Sequence, residues 1–462
     1  MNTSLRDRFS DLRAREFPRL DATRHAYLDY TGSALYPDSL VRGHAELLRG
    51  TVLGNPHSEN PASRASTERV DEARAAVLRF FDADPAEYGV CFTANATAAI
   101  KLVGEAFPFG PGSRYLLAMD NHNSINGVRE YAARRGADVE YLPLDAELRL
   151  IDAEGRLPAM SHDTPSLFAF PAQSNFSGVK HPLTLVAAAR DRGYAVLLDA
   201  AAFAPTQPLS LRQVPADFVA VSFYKMFGYP TGVGALIARH DSLARLERPW
   251  FAGGAVEFVS AAARMHLLSP GVAGFEDGTP NFLAIAVVPD GLAFLSEIGM
   301  DEIQAHVARL TERLLAGMDT LRHADGRPLV QLYGPATTLG RGGTVPFNLA
   351  DRHGSLLPHD EVVEAAAASG ISLRGGCFCN PGATESAFGY DPGDLRRCLE
   401  STMDGFTLER FSDCMNGAPV GAVRASLGLA SNEEDVDRLV ELLRQFGALD
   451  DTRSATPAAE VA

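Results

Sequence analysis

Seven short apolar runs constrain this chain more than any other feature. They are YGVCF (88–92), YLLAM (115–119), VEYL (139–142), LFAF (167–170), AVLL (195–198), DFVAV (217–221) and VGALIA (233–238). Each is brief and almost unbroken in its apolar character, the pattern of a strand covered on both faces. Segments of helical character separate them. After the first run, TANATAAIKLVGEAF reads as a turn and then a helix. Strands alternating with helices predict an α/β fold around a mostly parallel seven-stranded sheet. Ligands in such sheets gather at the carboxyl ends of the strands, so the residues just after each run carry the candidate chemistry.

Past about residue 292 helical patterns dominate: Asp301 to about Leu321, Asp360 to Ser369, and Asn432 to Phe446. The last sets Val436, Leu439, Val440, Leu443 and Phe446 on one face, and Ser431 and Glu434 have the spacing of a capping box. The expected organisation is a large domain over 56–291 and a smaller α+β domain from 1–55 and 292–450, with a frayed tail over 451–462.

Charge and cysteine content narrow the function class. Lys+Arg is 42 and Asp+Glu is 58, a net charge of −16 that disfavours nucleic acid and anionic membranes as partners. No apolar stretch approaches the roughly 18 residues of a membrane span, and the charged start has no signal-peptide core. The five cysteines are Cys91, Cys377, Cys379, Cys398 and Cys414. A sparse, odd set predicts no disulfide framework and fits a reducing cytoplasm, and Cys398 and Cys414 read as isolated. Cys-x-Cys without a second pair is not zinc spacing, so no metal site is expected.

Six positions after strands or in loops carry chemistry. Lys225 follows DFVAV-Ser-Phe-Tyr. Partial desolvation there would make its amine nucleophilic, whereas a plain surface lysine is the other reading. Gly228, Gly232 and Gly234 around it permit tight turns and close ligand approach. Asp199 closes AVLL and either holds a pyridinium nitrogen protonated, as a pyridoxal phosphate (PLP) site requires, or caps the next helix. In 93–99, backbone N–H groups and the Thr97 hydroxyl can face a phosphate at a helix's positive end. Dinucleotide and P-loop glycine motifs are missing. His122 can stack on a flat cofactor and move protons, or serve structure alone. In Leu-Arg-Gly-Gly-Cys-Phe-Cys-Asn-Pro-Gly (373–382) a cysteine near Arg374 is a candidate thiolate nucleophile, or both are buried loop thiols. Arg424 in an apolar run needs an anion, either a ligand carboxylate or an internal partner.

These pieces, with YLDYTGSA from Tyr27, QSNFSG (173–178), SFYKMFGYPTGVGALI, FEDGTPNF (275–282), RGGCFCNPGA (374–383) and NGAPVGAVRASLG, resemble the class V aminotransferase group of fold type I PLP enzymes. Within it the chain is similar to cysteine desulfurases, most of all to the PLP domain of molybdenum cofactor sulfurases. The resemblance implies that Lys225 holds PLP covalently, Asp199 pairs with the ring nitrogen and His122 stacks on the ring. It puts Asn175 near the ring hydroxyl and the substrate, and Ala96, Thr97 and Ser222 on the phosphate. Thr279 would reach the phosphate of a second protomer, implying a homodimer with composite sites. Arg424, with Arg374 nearby, would bind the substrate carboxylate, and Cys379 would form a persulfide. Two positions depart from the usual desulfurase pattern: Ala202 stands for a Gln and Tyr224 for a His, the Tyr agreeing with the sulfurase-like branch. Tyr224 is counted with the cofactor-binding set. Eukaryotic sulfurases carry a further cofactor-binding domain. This chain ends about 16 residues past its last expected helix, so that domain is expected to be absent. The activity implied is transfer of sulfur from L-cysteine, leaving alanine, to a protein or small-molecule acceptor. C–S lyase, epimerase, selenocysteine lyase and kynureninase-like reactions share the group. A non-catalytic sulfur-relay module is the remaining reading.

Overall fold

The seven apolar runs form one sheet. A computed structural model describes residues 2–453. In chain order the strands are β1 (Tyr88–Thr93), β2 (Arg114–Ala118), β3 (Asp138–Leu142), β4 (Ser166–Pro171), β5 (Tyr194–Asp199), β6 (Phe218–Ser222) and β7 (Gly234–Arg239). They lie in the order β1-β7-β6-β5-β4-β2-β3. β7 runs antiparallel to both its neighbours, and the other pairs are parallel. Alternate residues feed two cores, because successive side chains on a strand point to opposite faces. Val90, Leu116, Phe168, Val196 and Val219 pack on one side with the helix Pro61–Phe80. Cys91, Leu117, Leu167, Leu197 and Phe218 pack on the other with the helix Ala96–Ala106. Both faces are covered, which is why the runs lack polar alternation.

A second, four-stranded antiparallel sheet follows, in the order Val330–Leu332, Thr344–Leu349, Ala422–Ser426, Arg374–Gly376. Helices Met300–Asp319 and Glu433–Arg453 pack together beside it. The final helix runs beyond the expected Phe446, and residues 454–462 of the expected tail lie outside the described residues. Its cap falls one residue later than the Ser431/Glu434 spacing predicts. Asp435 N donates to Asn432 Oδ1 (2.9 Å) and Asn432 N donates to Asp435 Oδ2 (3.3 Å). Arg13 decides that register, because its guanidinium grips the buried Asp435 carboxylate at 2.6 Å. Ser431 Oγ accepts instead from Gly428 N (3.1 Å).

Cys398 and Cys414 are not isolated: they form a disulfide, with Cα atoms 5.6 Å apart. The helices Pro392–Thr402 and Leu408–Cys414 fold back on each other and bring the two residues within the normal span. Their shared apolar cluster is small, built on Cys398, Phe411 and Met415, and a covalent staple suits a unit with so little core.

One buried histidine ties the N-terminal helix to the smaller sheet region and makes it acid-sensitive. The His306 ring stacks on Phe9 at 3.9 Å, and Nε2 donates to Ser431 O at 2.9 Å. Nδ1 is buried without a partner, so a second proton there has nothing to bond. Burial pushes the His306 pKa down to about 4, well below its value in the unfolded chain. The stability it carries is complete above about pH 6.5 and drains away as pH falls toward 4, in all about 3 kcal/mol. Melting curves across that window are expected to flatten in His306→Gln, which cannot take up the proton.

Candidate active site

Four strand ends and one helix start converge on a cavity of about 360 Å³. β5 delivers Asp199, and β6 delivers Ser222 followed by the short helix Phe223–Phe227 that carries Lys225. β2 leads to His122, β4 leads to Gln173 and Asn175, and β1 turns at Asn95 into the helix Ala96–Ala106. Gly234 makes this crossing possible. It pairs with Thr93 on one side and Ser222 on the other, and a Cβ there would stand 2.6 Å from the Asn95 backbone. Gly228, at φ +77°, closes the lysine helix where a Cβ would meet Tyr36 N at 2.3 Å.

The helix start lines the cavity with Asn95, Ala96 and Thr97. Asn95 Oδ1 caps Ala98 N (2.9 Å), and Ser222 Oγ accepts from Ala96 N (2.9 Å). Thr97 Oγ1 bonds Ser124 Oγ (2.7 Å), which bonds His122 Nδ1 (2.9 Å). Because Ser124 N also donates to Nδ1 (3.1 Å), the neutral His122 ring carries its proton on Nε2. Burial lowers the His122 pKa. Asp199 opposes that, while Lys225 and Arg424 add to it. The ring is therefore neutral at pH 7.

Lys225 opens on this cavity and on a second, smaller one lined by Tyr30, Gln173 and Thr344. Burial lowers its pKa, Asp199 raises it, and Arg424 and Arg374 lower it further. This is not the environment of a surface lysine, and it lowers the amine's proton affinity. Asp199 lines the cavity, and its Oδ1 accepts from Ala201 N (3.0 Å) in a turn over 201–206, so it caps no helix. Tyr224 and Ala202 also line the cavity.

The loop 373–382 is tied to the cavity by two asparagines. Asn175 Nδ2 donates to Phe378 O (2.7 Å), and Asn380 Nδ2 donates to Asn175 Oδ1 (3.0 Å) and to Asp120 O (2.7 Å). Phe378 and Cys379 both adopt φ +55°. The coil turns Phe378 into the core and leaves Cys377 and Cys379 exposed, against the reading of two buried loop thiols. Cys379 O accepts from Asn123 N (2.8 Å), and a negative charge on Cys379 raises the proton affinity of Lys225 and Arg424.

Arg424 is 2% exposed and has an internal partner. Its Nη2 donates to Asp29 Oδ1 (3.0 Å) and its Nη1 to Asn175 O (3.0 Å). Arg374 clasps the same Asp29. Arg424 thus meets the site through Asn175 rather than by lining the cavity. Thr279 is not brought to this cavity. It is exposed, accepts from Asn55 Nδ2 (3.2 Å) and lines a neighbouring cavity with Lys101 and Asp277. Sequence reasoning gave no role to Asp29, Ser124, Gln173 or Asn380. For Asn380 the signal was present, since Asn-Pro after a Gly-rich loop is a helix start, and its side chain caps Ala383 N (3.1 Å).

The class-V aminotransferase profile matches residues 26–439. This chain belongs to the class-V aminotransferase family. Among its relatives, the molybdenum cofactor sulfurase of Solanum lycopersicum is 37% identical over 466 residues, covering 94% of this chain and 56% of that protein. The Homo sapiens molybdenum cofactor sulfurase is 34% identical, covering 94% and 51%. The class-V chain thus spans about half the length of the curated relatives it matches. A solved cysteine desulfurase from Thermococcus onnurineus NA1 superposes with a TM-score of 0.79 at 25% identity, covering 95% of this chain and 98% of that one. An Escherichia coli cysteine desulfurase shares the fold with a TM-score of 0.72. The fold is that of these cysteine desulfurases.

Proposed function

We propose that this chain is a PLP-dependent sulfurtransferase that takes sulfur from L-cysteine onto Cys379 and leaves alanine. The observation that carries the reading is one cavity lined by Lys225, Asp199, His122 and Asn175, to which the Asn175–Phe378 bond ties the loop bearing the exposed Cys379. The relatives named as molybdenum cofactor sulfurases and the structure named as a cysteine desulfurase support it.

The residues fit PLP. The cavity offers an anion-binding end (Ser222, Thr97 and the helix start), a carboxylate at Asp199, an amine at Lys225 and the small Ala201 and Ala202. When bound, PLP supplies an electron sink for charge developing on the substrate α-carbon. Asp199 would hold the ring nitrogen protonated, and His122 and Tyr224 would flank the cofactor. The Lys225 amine, with its lowered proton affinity, takes the α-proton of the substrate. The Cys379 thiolate then attacks the substrate sulfur: the Cys379 Sγ–S bond forms, the substrate C–S bond breaks, and a proton returned to carbon completes alanine. Cys379 is left as a persulfide for an acceptor, a protein or a small molecule.

A homodimer belongs to this reading. The hairpin Val256–Ser260 and Met265–Leu268 exposes Phe258, Met265 and Leu267, an apolar strip that suits a second copy. Gly278 N donates to Gly253 O (2.8 Å), tying Thr279 to the base of that hairpin, where it is available to a partner's phosphate site. Sedimentation should give twice 49.5 kDa, and a monomer would remove this part.

Product analysis tests the reaction. Incubation with L-cysteine and PLP is expected to yield alanine together with sulfane sulfur or sulfide. Pyruvate and ammonia would instead mean β-elimination and would refute the transfer.

A further inference from the structure

Arg374 and Arg424 face each other as direct partners on neighbouring antiparallel strands. Like charges in that position repel and destabilise a sheet. Asp29 lies between them, in a parallel bridge with Ser426 on the same edge of the Arg424 strand as Arg374, Thr344 taking the other side of Ser426. Its Oδ2 accepts from Arg374 Nη2 (2.6 Å) and Nε (3.0 Å), and its Oδ1 accepts from Arg424 Nη2 (3.0 Å). The turn is shaped around this pairing: a Cβ on Gly32 would stand 2.5 Å from Arg374 Nη2 and 2.7 Å from Asp29 Oδ2. Arg424 is held on its other sides by the Asn175 carbonyl and by the Phe378 ring, 4.5 Å from the guanidinium carbon.

Two features show that this cluster is not self-contained. Arg424 Nε is buried and has no partner, although a buried guanidinium donor is costly to leave unpaired. Two cations and one carboxylate also leave one positive charge, in a place where Arg424 is 2% exposed. A single further carboxylate would satisfy both the donor and the charge.

We infer that Asp29 is a positioning residue: it holds Arg424 in place and cancels one of two guanidinium charges, so that the subsite accepts one substrate carboxylate. The inference rests on the proposed reading, in which an amino acid binds beside Lys225. Arg374 keeps most of Asp29, through three of the four contacts, and Arg424 keeps its buried Nε unpaired.

The test compares two thiols that differ in the carboxylate alone, 3-mercaptopropionate and 3-mercaptopropanol, by calorimetry on the PLP-loaded protein. The wild type should prefer the acid by roughly tenfold to a hundredfold, the range for a charged hydrogen-bonded contact. Asp29→Asn should lose most of that preference while its affinity for the alcohol stays within about twofold, and Asp29→Glu should recover part of it. With L-cysteine, Asp29→Asn should raise KM by a similar factor and leave kcat within about threefold. A role in folding alone would weaken both thiols equally. If Asp29→Asn fails to fold, Asp29→Glu, which keeps the charge but moves the carboxylate, should show a partial loss. An undiminished preference in a folded Asp29 variant overturns the inference. No preference in the wild type overturns both it and the use of Arg424 for a carboxylate. An Asp29-dependent preference in a protein that makes no alanine leaves the inference standing and removes the desulfuration.

Discussion

Lys225→Ala should lower alanine formation from L-cysteine by roughly 10²–10⁴-fold, the loss expected when a positioned proton-transfer group is removed. No other amine can substitute. Among the described residues, Lys180 is tied to Gln207 (3.0 Å) and Lys101 faces the neighbouring cavity. The variant should also release PLP on desalting, whereas the wild type stays yellow. Lys225→Arg should not rescue either property, because a guanidinium keeps its proton and fits the amine's space poorly. Retained activity in Lys225→Ala, with the protein folded, would remove the lysine from the chemistry.

Cys379→Ser should cost as much by a different route. A serine hydroxyl is not ionised near neutral pH and cannot accept a sulfur atom from the substrate. Alanine formation should therefore fall by at least about a hundredfold, while PLP stays bound, since the loop is tied to the cavity by Asn175, Asn380 and the Cys379 backbone carbonyl, all of which the substitution keeps. Cys377→Ser is the control. Cys377 O accepts from Asn380 N within the loop, whereas Cys379 O accepts from Asn123 N beside His122. The control should leave alanine formation within about twofold of the wild type. Equal losses in the two variants would mean that the loop, not the Cys379 thiol, is what matters.

Much of the large sheet was legible because its strands are buried on both faces. Continuous apolar runs such as LFAF and AVLL have few other uses, and each ends at a residue that reaches the cavity. Lys225, Asp199 and His122 were visible for the same reason: a polar residue immediately after a buried strand stands out. The parts that stayed hidden depend on contacts between distant segments. Asp29 is 395 residues from Arg424, and nothing local marks it as the counter-ion of two arginines. The Cys398–Cys414 disulfide needs a helical hairpin that cysteine counting does not reveal. The cap at Asn432 rather than Ser431 is set by Arg13, 422 residues from Asp435. The exposed hairpin at Val256–Ser260 has no burial pattern to announce it.

The central claim is that sulfur passes through Cys379. Mixing the PLP-loaded protein with one equivalent of L-cysteine, then alkylating and digesting it, reads that directly by mass spectrometry. The predicted result is one added sulfur atom on the peptide containing Cys379, with one alanine released per protomer. Release of alanine with Cys379 unmodified, and with the sulfur free or on another residue, would contradict the account.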